Sequence, residues 1–234
     1  MKKVTDKAES RGRSSYDWLD SRHTFSFDKY YNPRRMNFGA LRVLNDDRIA
    51  PEKGFGTHPH KNMEIISIPL KGKLKHGDNK QTSRTITIGD IQTMSAGTGI
   101  YHSEMNGSDT EPAEFLQIWV IPEKLNTPPT YQDYDIRPYL HKNKLSLIVS
   151  PDGNAPARML QQAWFSIGEV EAGKKLGYHL HQSHAGVYIF LIEGEIKVDG
   201  TVLSRRDGMG VYETDSFELE TLQDSHILLI EVPM

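Results

Sequence analysis

The chain of 234 residues contains no cysteine. This absence excludes a disulfide framework, an iron–sulfur cluster, a thiolate zinc site and a cysteine nucleophile. Any bound metal must therefore use nitrogen and oxygen ligands. The sequence also lacks a hydrophobic run near the roughly 20 residues that a membrane helix needs, and its polar N-terminus lacks the apolar core of a signal peptide. We therefore expect a cytoplasmic protein without a membrane partner.

A strong charge of either sign is missing too. The 28 basic and 31 acidic side chains give a formal net charge of −3, and the basic clusters are short. A nucleic-acid surface needs a basic stripe that neutralises phosphates, so direct binding to nucleic acid is not expected. The hydrophobic content of 37% and the charged content of 25% are typical of a globular protein. The length fits one large or two small domains.

Short alternating or β-branched runs dominate the sequence, and helical periodicity is weak. Glycine, proline, asparagine and aspartate separate these runs, which predicts an all-β sandwich or barrel. The one predicted helix is short and lies near Tyr16–Asp20. The predicted strands are 40–44, 63–70, 85–88, 115–121, 145–149, 164–170, 187–192, 195–198, 210–212, 217–222 and 227–232.

The segment 123–144 differs from its surroundings because it has several prolines and little alternation, which is typical of a linker. The halves on either side repeat weakly. A His-x-His pair that begins at His58 precedes Gly72, and a second pair that begins at His179 precedes Gly194. This spacing predicts a two-fold repeat of one β-domain. The predicted division is an N-terminal barrel over residues 1–130, a linker over 131–144 and a C-terminal barrel over 145–234.

Two pairs of potential metal ligands stand out among the ten histidines. Residues two apart in a strand project from the same face, about 7 Å apart. His58 with His60 forms one such pair, and His102 with Glu104 forms the other. If the two strands are neighbours, three imidazoles and a carboxylate converge. This set suits Fe(II), Mn(II), Co(II), Ni(II) or Cu(II) with open positions for a substrate, whereas a closed structural zinc site leaves none. An isolated histidine is more often a hydrogen-bonded core or surface residue, but two pairs favour a metal site.

Three segments resemble the pirin family. Residues 54–64, GFGTHPHKNME, resemble the first cupin motif, and residues 89–104, GDIQTMSAGTGIYHSE, resemble the second motif in its pirin form. Residues 23–47 are also similar to pirins. The nearest group is the bacterial pirin-like quercetin 2,3-dioxygenases. The resemblance implies an all-β bicupin, that is, two cupin-type β-barrel (jelly-roll) domains with few short helices. It also implies a metal site in the N-terminal barrel alone, and a monomer.

The resemblance further implies the roles of the site residues. His58, His60, His102 and Glu104 are the expected metal ligands, and Glu104 is the expected catalytic base. Most cupins use the glutamate of the first motif, here Glu64, as a ligand, but pirins use the glutamate that follows the later histidine. Glu64 is therefore expected to lie behind the ligands and to orient an imidazole. One divalent transition metal per chain is expected, with Fe(II) first and Mn, Co, Ni, Cu or Zn as alternatives.

The histidines of the C-terminal half lack a partner pair. His179 and His181 have ligand spacing, but no histidine follows at the position that corresponds to the second motif. We expect both to be structural or exposed, as in the degenerate second barrel of pirins. The other five histidines of the chain are interpreted as incidental. The aromatic group at residues 25–38 is more typical of a core, although the resemblance places part of that region near the cavity mouth, where it could stack on a flat ligand.

Three functions stay open. The resemblance implies a metal-dependent dioxygenase whose partners are a small aromatic flavonol such as quercetin and O₂. In that reading the flavonol chelates the metal through its hydroxyl and carbonyl oxygens, and Glu104 accepts the hydroxyl proton. Some pirins act instead as metal-dependent, redox-responsive regulatory partners of transcription-related proteins. A barrel that binds a metal without turnover is the third reading.

Overall fold

The computed structural model describes residues 1–78 and 83–234. In these residues the only helices are two 3₁₀ turns, Ala8–Ser10 and Arg137–Tyr139, and none of them is long or apolar enough to cross a membrane. The all-β prediction is confirmed. The helix predicted near Tyr16–Asp20 is wrong, because Gly12–Tyr16 and Leu19–His23 are antiparallel strands joined by a tight turn. Their backbone groups are satisfied by the strand partner instead of a helix.

Twelve strands lie in the first 135 residues, within the part of the chain that is described. They are β1 (Lys2–Asp6), β2 (Gly12–Tyr16), β3 (Leu19–His23), β4 (Leu41–Ile49), β5 (Gly54–His60), β6 (Glu64–Lys71), β7 (Lys73–Asp78), β8 (Ser83–Thr87), β9 (Asp90–Ser95), β10 (Ile100–Asn106), β11 (Ala113–Val120) and β12 (Thr130–Asp135). Eleven of them build two sheets, with the orders β12-β9-β6-β11-β4-β3-β2 and β5-β10-β7-β8. The two sheets face each other and form the N-terminal barrel.

The C-terminal half repeats this arrangement. Its strands are β13 (Ser146–Ser150), β14 (Ala157–Arg158), β15 (Trp164–Val170), β16 (Lys175–His179), β17 (Ala185–Glu193), β18 (Glu195–Val198), β19 (Thr201–Ser204), β20 (Gly208–Tyr212), β21 (Ser216–Thr221) and β22 (Ser225–Pro233). They form sheets with the orders β1-β20-β17-β22-β15-β13-β14 and β16-β21-β18-β19. Gly72 and Gly194 lie at equivalent turns and have φ angles of 73° and 93°, which favour glycine. The internal repeat is therefore present in both topology and turn geometry.

The edge strands of the two large sheets come from unexpected parts of the chain. Strand β12 overlaps the segment predicted as a linker, and it pairs with β9 at the edge of the N-terminal sheet. Strand β1, at the start of the chain, pairs with β20 and occupies the equivalent edge of the C-terminal sheet. Polar edge strands of this kind give a weak hydrophobic pattern, which explains why the sequence did not reveal them. The domain boundaries at residues 130 and 145 stay a prediction.

The two seven-stranded sheets pack face to face and share the largest apolar cluster. Leu44 and Leu116 contribute from the N-terminal half, and Phe165, Tyr188 and Leu228 contribute from the C-terminal half. A second cluster of valine, isoleucine and leucine side chains fills the C-terminal barrel. The N-terminal barrel differs, because buried polar side chains occupy much of its interior. Buried polar groups need partners or ligands, so the candidate site lies there.

Candidate metal centre

Three imidazoles meet inside the N-terminal barrel. His58 and His60 lie on β5, and the strand register places His102 of β10 directly opposite His58. The ring centroids are 4.8 Å apart for His58 and His60, 4.4 Å for His58 and His102, and 4.6 Å for His60 and His102. The Nε2 atoms of His58 and His102 are 2.9 Å apart. Two ligand nitrogens that meet a metal at right angles, each about 2.0–2.1 Å away, lie about 2.9–3.0 Å from each other.

The protonation of these rings favours metal binding. His58 Nδ1–H donates to the carbonyl oxygen of Gly56 at 2.8 Å, which leaves the lone pair on Nε2. His60 Nε2 is buried and has no hydrogen-bond partner among the described residues, although buried polar atoms are normally paired. Burial, together with the neighbouring imidazoles, lowers the pKa of His60 to about 4 and that of His102 to about 2. Neutral imidazoles that converge in this way fit a divalent cation.

Glu104 lies two residues after His102 and is 2% exposed. Gln117 Nε2 donates to its two carboxylate oxygens at 2.9 and 2.8 Å, and the Ser67 hydroxyl donates to one of them at 3.1 Å. These donors fix the orientation of the carboxylate. A carboxylate oxygen of Glu104 lies within 4.8 Å of ring nitrogens of His76 and His102. Glu104 therefore adjoins the imidazole cluster through His102, the residue that the two groups share.

Glu64 has contacts that differ from those expected. It is 2% exposed and accepts a hydrogen bond from the Ser95 hydroxyl at 3.0 Å. Its other carboxylate oxygen accepts the backbone N–H groups of Leu160 and Gln161 at 2.8 and 3.2 Å. The described residues give it no hydrogen bond to an imidazole, so the expectation that it orients one is not met. Glu64 instead anchors a segment of the C-terminal half to the N-terminal barrel.

His76 belongs to the cluster, although it was interpreted as incidental. It is 1% exposed, and its Nε2 lies 2.9 Å from His102 Nδ1. His76 Nδ1 bonds Gln92 Oε1, and Gln92 Nε2 donates to Asp133 Oδ1 at 3.1 Å. If His102 Nε2 faces a cation, each N–H in this chain points toward Asp133. The available signal was the alternation of β7, in which His76 shares the buried face with Leu74.

One polar row crosses the large sheet of the N-terminal barrel. Its members are adjacent in the strand register, and each of six strands supplies one of them. Three members bond to Glu104 or His76 of the opposite sheet. The row therefore fixes the positions of Glu104 and of His76, which contacts His102. In order it comprises His23, Asn45, Gln117, Ser67, Gln92 and Asp133.

A cavity of about 570 Å³ opens beside His58, His60 and Glu104, between the edge strands β2 and β5. This volume lies in the range of sites that bind small organic molecules. Burial, with a smaller contribution from the charge of Glu104, raises the pKa of Asp47, on the cavity wall, to about 8. The aromatic lining consists of Tyr16, Trp18, Phe27, Phe55 and Trp119, and the polar lining of β2 to β4 consists of Ser14, Ser21, His23, Asn45 and Asp47.

The aromatic group at residues 25–38 divides between core and cavity. Phe25 and Phe38 are buried in the cluster between the large sheets. Phe27 lines the cavity and makes an edge contact with Trp119, with ring centroids 5.4 Å apart. Tyr31 is 72% exposed. Phe27 is thus the member of this group that is placed to contact a ligand.

The C-terminal barrel places its histidines differently. Ser216 lies opposite His179, where the N-terminal barrel has His102 opposite His58. His179 is exposed. His181 Nδ1 lies 2.8 Å from the fully buried carboxylate of Glu231, and its ring stacks on Trp164 with centroids 5.0 Å apart. His181 is therefore engaged in packing and hydrogen bonding.

The fold and the site define a bicupin with one cluster of imidazole and carboxylate groups in the N-terminal barrel. The chain belongs to the pirin family: residues 4–120 match the Pirin family model, and residues 147–232 match the quercetinase C-terminal cupin domain. The expected family and bicupin fold are thereby confirmed.

Relatives extend over nearly the whole chain. The chain is 37% identical to the quercetin 2,3-dioxygenase of Escherichia coli K12 over 227 residues, which is 97% of each protein. It is 34% identical to the pirin-like protein of Caulobacter vibrioides over 222 residues, which is 94% of this chain and 95% of that one. The crystal structure of the bacterial pirin YhhW from Escherichia coli in complex with nickel(II) matches with a TM-score of 0.94 and 35% identity, over 99% of both chains. A His/Glu cluster here and nickel in a similar structure support a divalent metal.

Proposed function

We propose that this protein is a metal-dependent dioxygenase that opens flavonols such as quercetin. The observation that carries the proposal is the cluster of His58, His60 and His102, which Glu104 adjoins at His102, beside a cavity of ligand size. The name of the Escherichia coli relative, quercetin 2,3-dioxygenase, supports the substrate class. The reaction consumes one O₂ per flavonol and releases one carbon monoxide together with a depside, so all atoms balance.

The proposed ligands are His58, His60, His102 and Glu104, and the proposed ion is Fe(II). A set of three nitrogens and one oxygen accepts several divalent ions, which agrees with the nickel(II) complex of the similar structure. When bound, the ion supplies Lewis acidity toward the chelating oxygens of the flavonol and redox chemistry toward O₂. The buried Nε2 of His60, which has no hydrogen-bond partner, supports its assignment as a ligand.

Glu104 is the proposed general base. Its carboxylate lines the cavity, and Gln117 and Ser67 hold it in one orientation. In this position it accepts the proton of the flavonol hydroxyl, which leaves the chelating oxygen anionic.

The aromatic side chains of the cavity orient the substrate and exclude water. Trp18 and Phe55 meet edge to face on one side, with ring centroids 5.3 Å apart. Phe27 and Trp119 meet in the same way at 5.4 Å. A planar ligand fits between aromatic walls of this kind, because offset stacking and edge contacts favour flat rings.

The test is an assay of quercetin bleaching and O₂ uptake with protein loaded separately with Fe, Mn, Co, Ni or Cu. We expect turnover with at least one ion and a loss of at least about 100-fold in His60→Ala. His179→Ala, which changes an exposed histidine of the C-terminal barrel, is the matched control and should retain full activity. If no metal-loaded form bleaches quercetin or consumes O₂, the proposed activity is wrong.

A further inference from the structure

Two polar side chains of β4 are only partly used by the fold. Asn45 and Asp47 are two residues apart, so both project into the barrel, and each is 3% exposed and lines the cavity. Asn45 Oδ1 bonds His23 Nδ1 at 2.9 Å, and Asp47 Oδ1 accepts from the Ser21 hydroxyl. The described residues give no hydrogen-bond partner to Asn45 Nδ2 or to Asp47 Oδ2.

Their neighbours hold these side chains in place. Ser21 bonds Asp47 through one oxygen only, and His23, which bonds Asn45, is itself held by the Ser14 hydroxyl at 2.9 Å. The free amide nitrogen and the free carboxyl oxygen are thus presented on rigid supports. Neither atom is among the fully buried polar atoms that lack a partner, so both stay accessible from the cavity that the two residues line. A polar group of a ligand in the cavity can therefore reach them.

This position is close to the candidate metal centre. Asn45 is the register partner of Gln117, which holds Glu104. A planar molecule that reaches Glu104 therefore also reaches β4. Trp119 Nε1, on the same cavity, is buried and has no hydrogen-bond partner among the described residues. Its ring lies 4.9 Å from that of His60, so the cavity has polar groups both beside the imidazoles and on β4.

We propose that Asn45 and Asp47 form a recognition site for hydroxyl groups of the aromatic substrate. Asn45 Nδ2 and the Asp47 carboxyl bond hydroxyls that lie outside the chelating oxygen pair. The site therefore selects polyhydroxylated flavonols over flat chelators without further hydroxyls. This inference rests on the proposed function and makes its substrate class more specific.

Two probe ligands distinguish binding through the additional hydroxyl groups from binding through the chelating oxygens. Quercetin and 3-hydroxyflavone share the chelating oxygens, but only quercetin has further hydroxyls. Their dissociation constants are measured by tryptophan quenching without oxygen, on protein loaded with zinc, which has no redox chemistry. Trp18 and Trp119 line the cavity and report binding, whereas Trp164 lies in the C-terminal half and supplies an unquenched background.

The wild-type protein is expected to bind quercetin at least about tenfold more tightly than 3-hydroxyflavone. Asp47→Leu and Asn45→Leu should each reduce this ratio several-fold and leave the affinity for 3-hydroxyflavone within about twofold. Asp20→Asn is the control, because Asp20 pairs with Arg13 outside the cavity, and it should keep the wild-type ratio.

Each alternative result has a defined meaning. Equal wild-type affinities for the two probes, or an unchanged ratio in both leucine variants, overturn the recognition site and leave the proposed activity standing. An equal loss of affinity for both probes in a folded leucine variant also overturns the recognition site. If neither probe binds folded, zinc-loaded wild-type protein, the recognition site and the proposed substrate class are both wrong. The wild-type comparison needs no variant, so misfolding of Asp47→Leu does not prevent the test.

Discussion

Gln117 and Glu104 face each other across the N-terminal barrel, and the amide nitrogen of Gln117 lies 2.9 and 2.8 Å from the two carboxylate oxygens of Glu104. Gln117 comes from β11 of the large sheet, whereas Glu104 comes from β10 of the small sheet. A residue without contact to the candidate metal position thus determines the orientation of the proposed oxygen ligand. Such supporting hydrogen bonds commonly affect metal affinity as strongly as a weak ligand does.

Replacement of Gln117 by leucine is expected to weaken metal binding about 10- to 100-fold. The variant leaves the buried carboxylate of Glu104 with the Ser67 hydroxyl as its remaining donor, so the carboxylate loses its fixed orientation. Competition with a chromophoric chelator measures the dissociation constant. Gln132→Leu, which changes an exposed residue of β12, is the control and should bind metal as the wild type does. Wild-type affinity in Gln117→Leu would show that Glu104 is oriented by other contacts.

The hydrogen-bond chain from His102 to Asp133 leads to a second prediction. Gln92→Leu interrupts the chain between His76 and Asp133, and we expect metal affinity to fall about 10-fold or more because His102 loses its fixed tautomer and orientation. Isothermal titration with nickel(II) measures the change. Asp135→Asn is the control. It changes an exposed carboxylate of β12, the strand of Asp133, and this carboxylate pairs with Arg137, so the substitution should not change the metal affinity. An equal loss in both variants would point to a general effect of charge or stability.

The proposed ligands could be predicted from the sequence, but the residues that support them could not. His58, His60, His102 and Glu104 were predictable because the spacing of two in a strand is a local signal. His76, Gln92 and Gln117 come from three different strands, and their proximity depends on register between residues far apart in the chain. Register follows from the long-range match of buried faces, which a single sequence does not display.

The errors in the predicted fold have related causes. The segment near Tyr16–Asp20 contains Trp18 and Leu19 among polar residues, and this short apolar pattern fits a helix turn as well as a hairpin. Pairing with a neighbouring strand decided the outcome. The edge strands β1 and β12 were not predicted for the same reason, because a polar strand is stabilised by its pairing partner and gives a weak pattern of its own.

The buried carboxylate of Glu231 is expected to stabilise the C-terminal barrel without affecting the metal. It is 0% exposed and accepts from the Tyr178 hydroxyl and from the backbone N–H groups of His181 and Gln182, while His181 Nδ1 lies 2.8 Å away. Glu231→Gln places an amide against these donors and should cost about 2–4 kcal/mol of unfolding free energy. Urea unfolding measures this loss, and metal analysis should give the wild-type content. His179→Ala should unfold within about 0.5 kcal/mol of wild type. A loss of bound metal in folded Glu231→Gln would contradict the assignment.

His226 gives the protein a pH-dependent contribution to stability that is independent of the candidate metal centre. It lies on β22, opposite Glu169 of β15 and Glu193 of β17. Burial lowers its pKa below the ordinary value of 6.5, and Arg206 lowers it too, while the two glutamates act in the opposite direction. The folded state therefore takes up this proton at a lower pH than the unfolded chain does. The contribution is complete above the unfolded pKa and is lost as the pH falls through the folded pKa.

Replacement of His226 by glutamine removes this titration. As the pH falls from 7.5 to 5.5, the wild type should lose unfolding free energy relative to His226→Gln, by less than about 1.4 kcal/mol per pH unit. The difference between the two proteins is the quantity to follow, because other buried histidines titrate in both and cancel. Urea unfolding of the metal-free proteins at pH 7.5, 6.5 and 5.5 measures it. A difference that stays constant, or that moves in favour of the wild type at low pH, would show that the glutamates outweigh burial at this position.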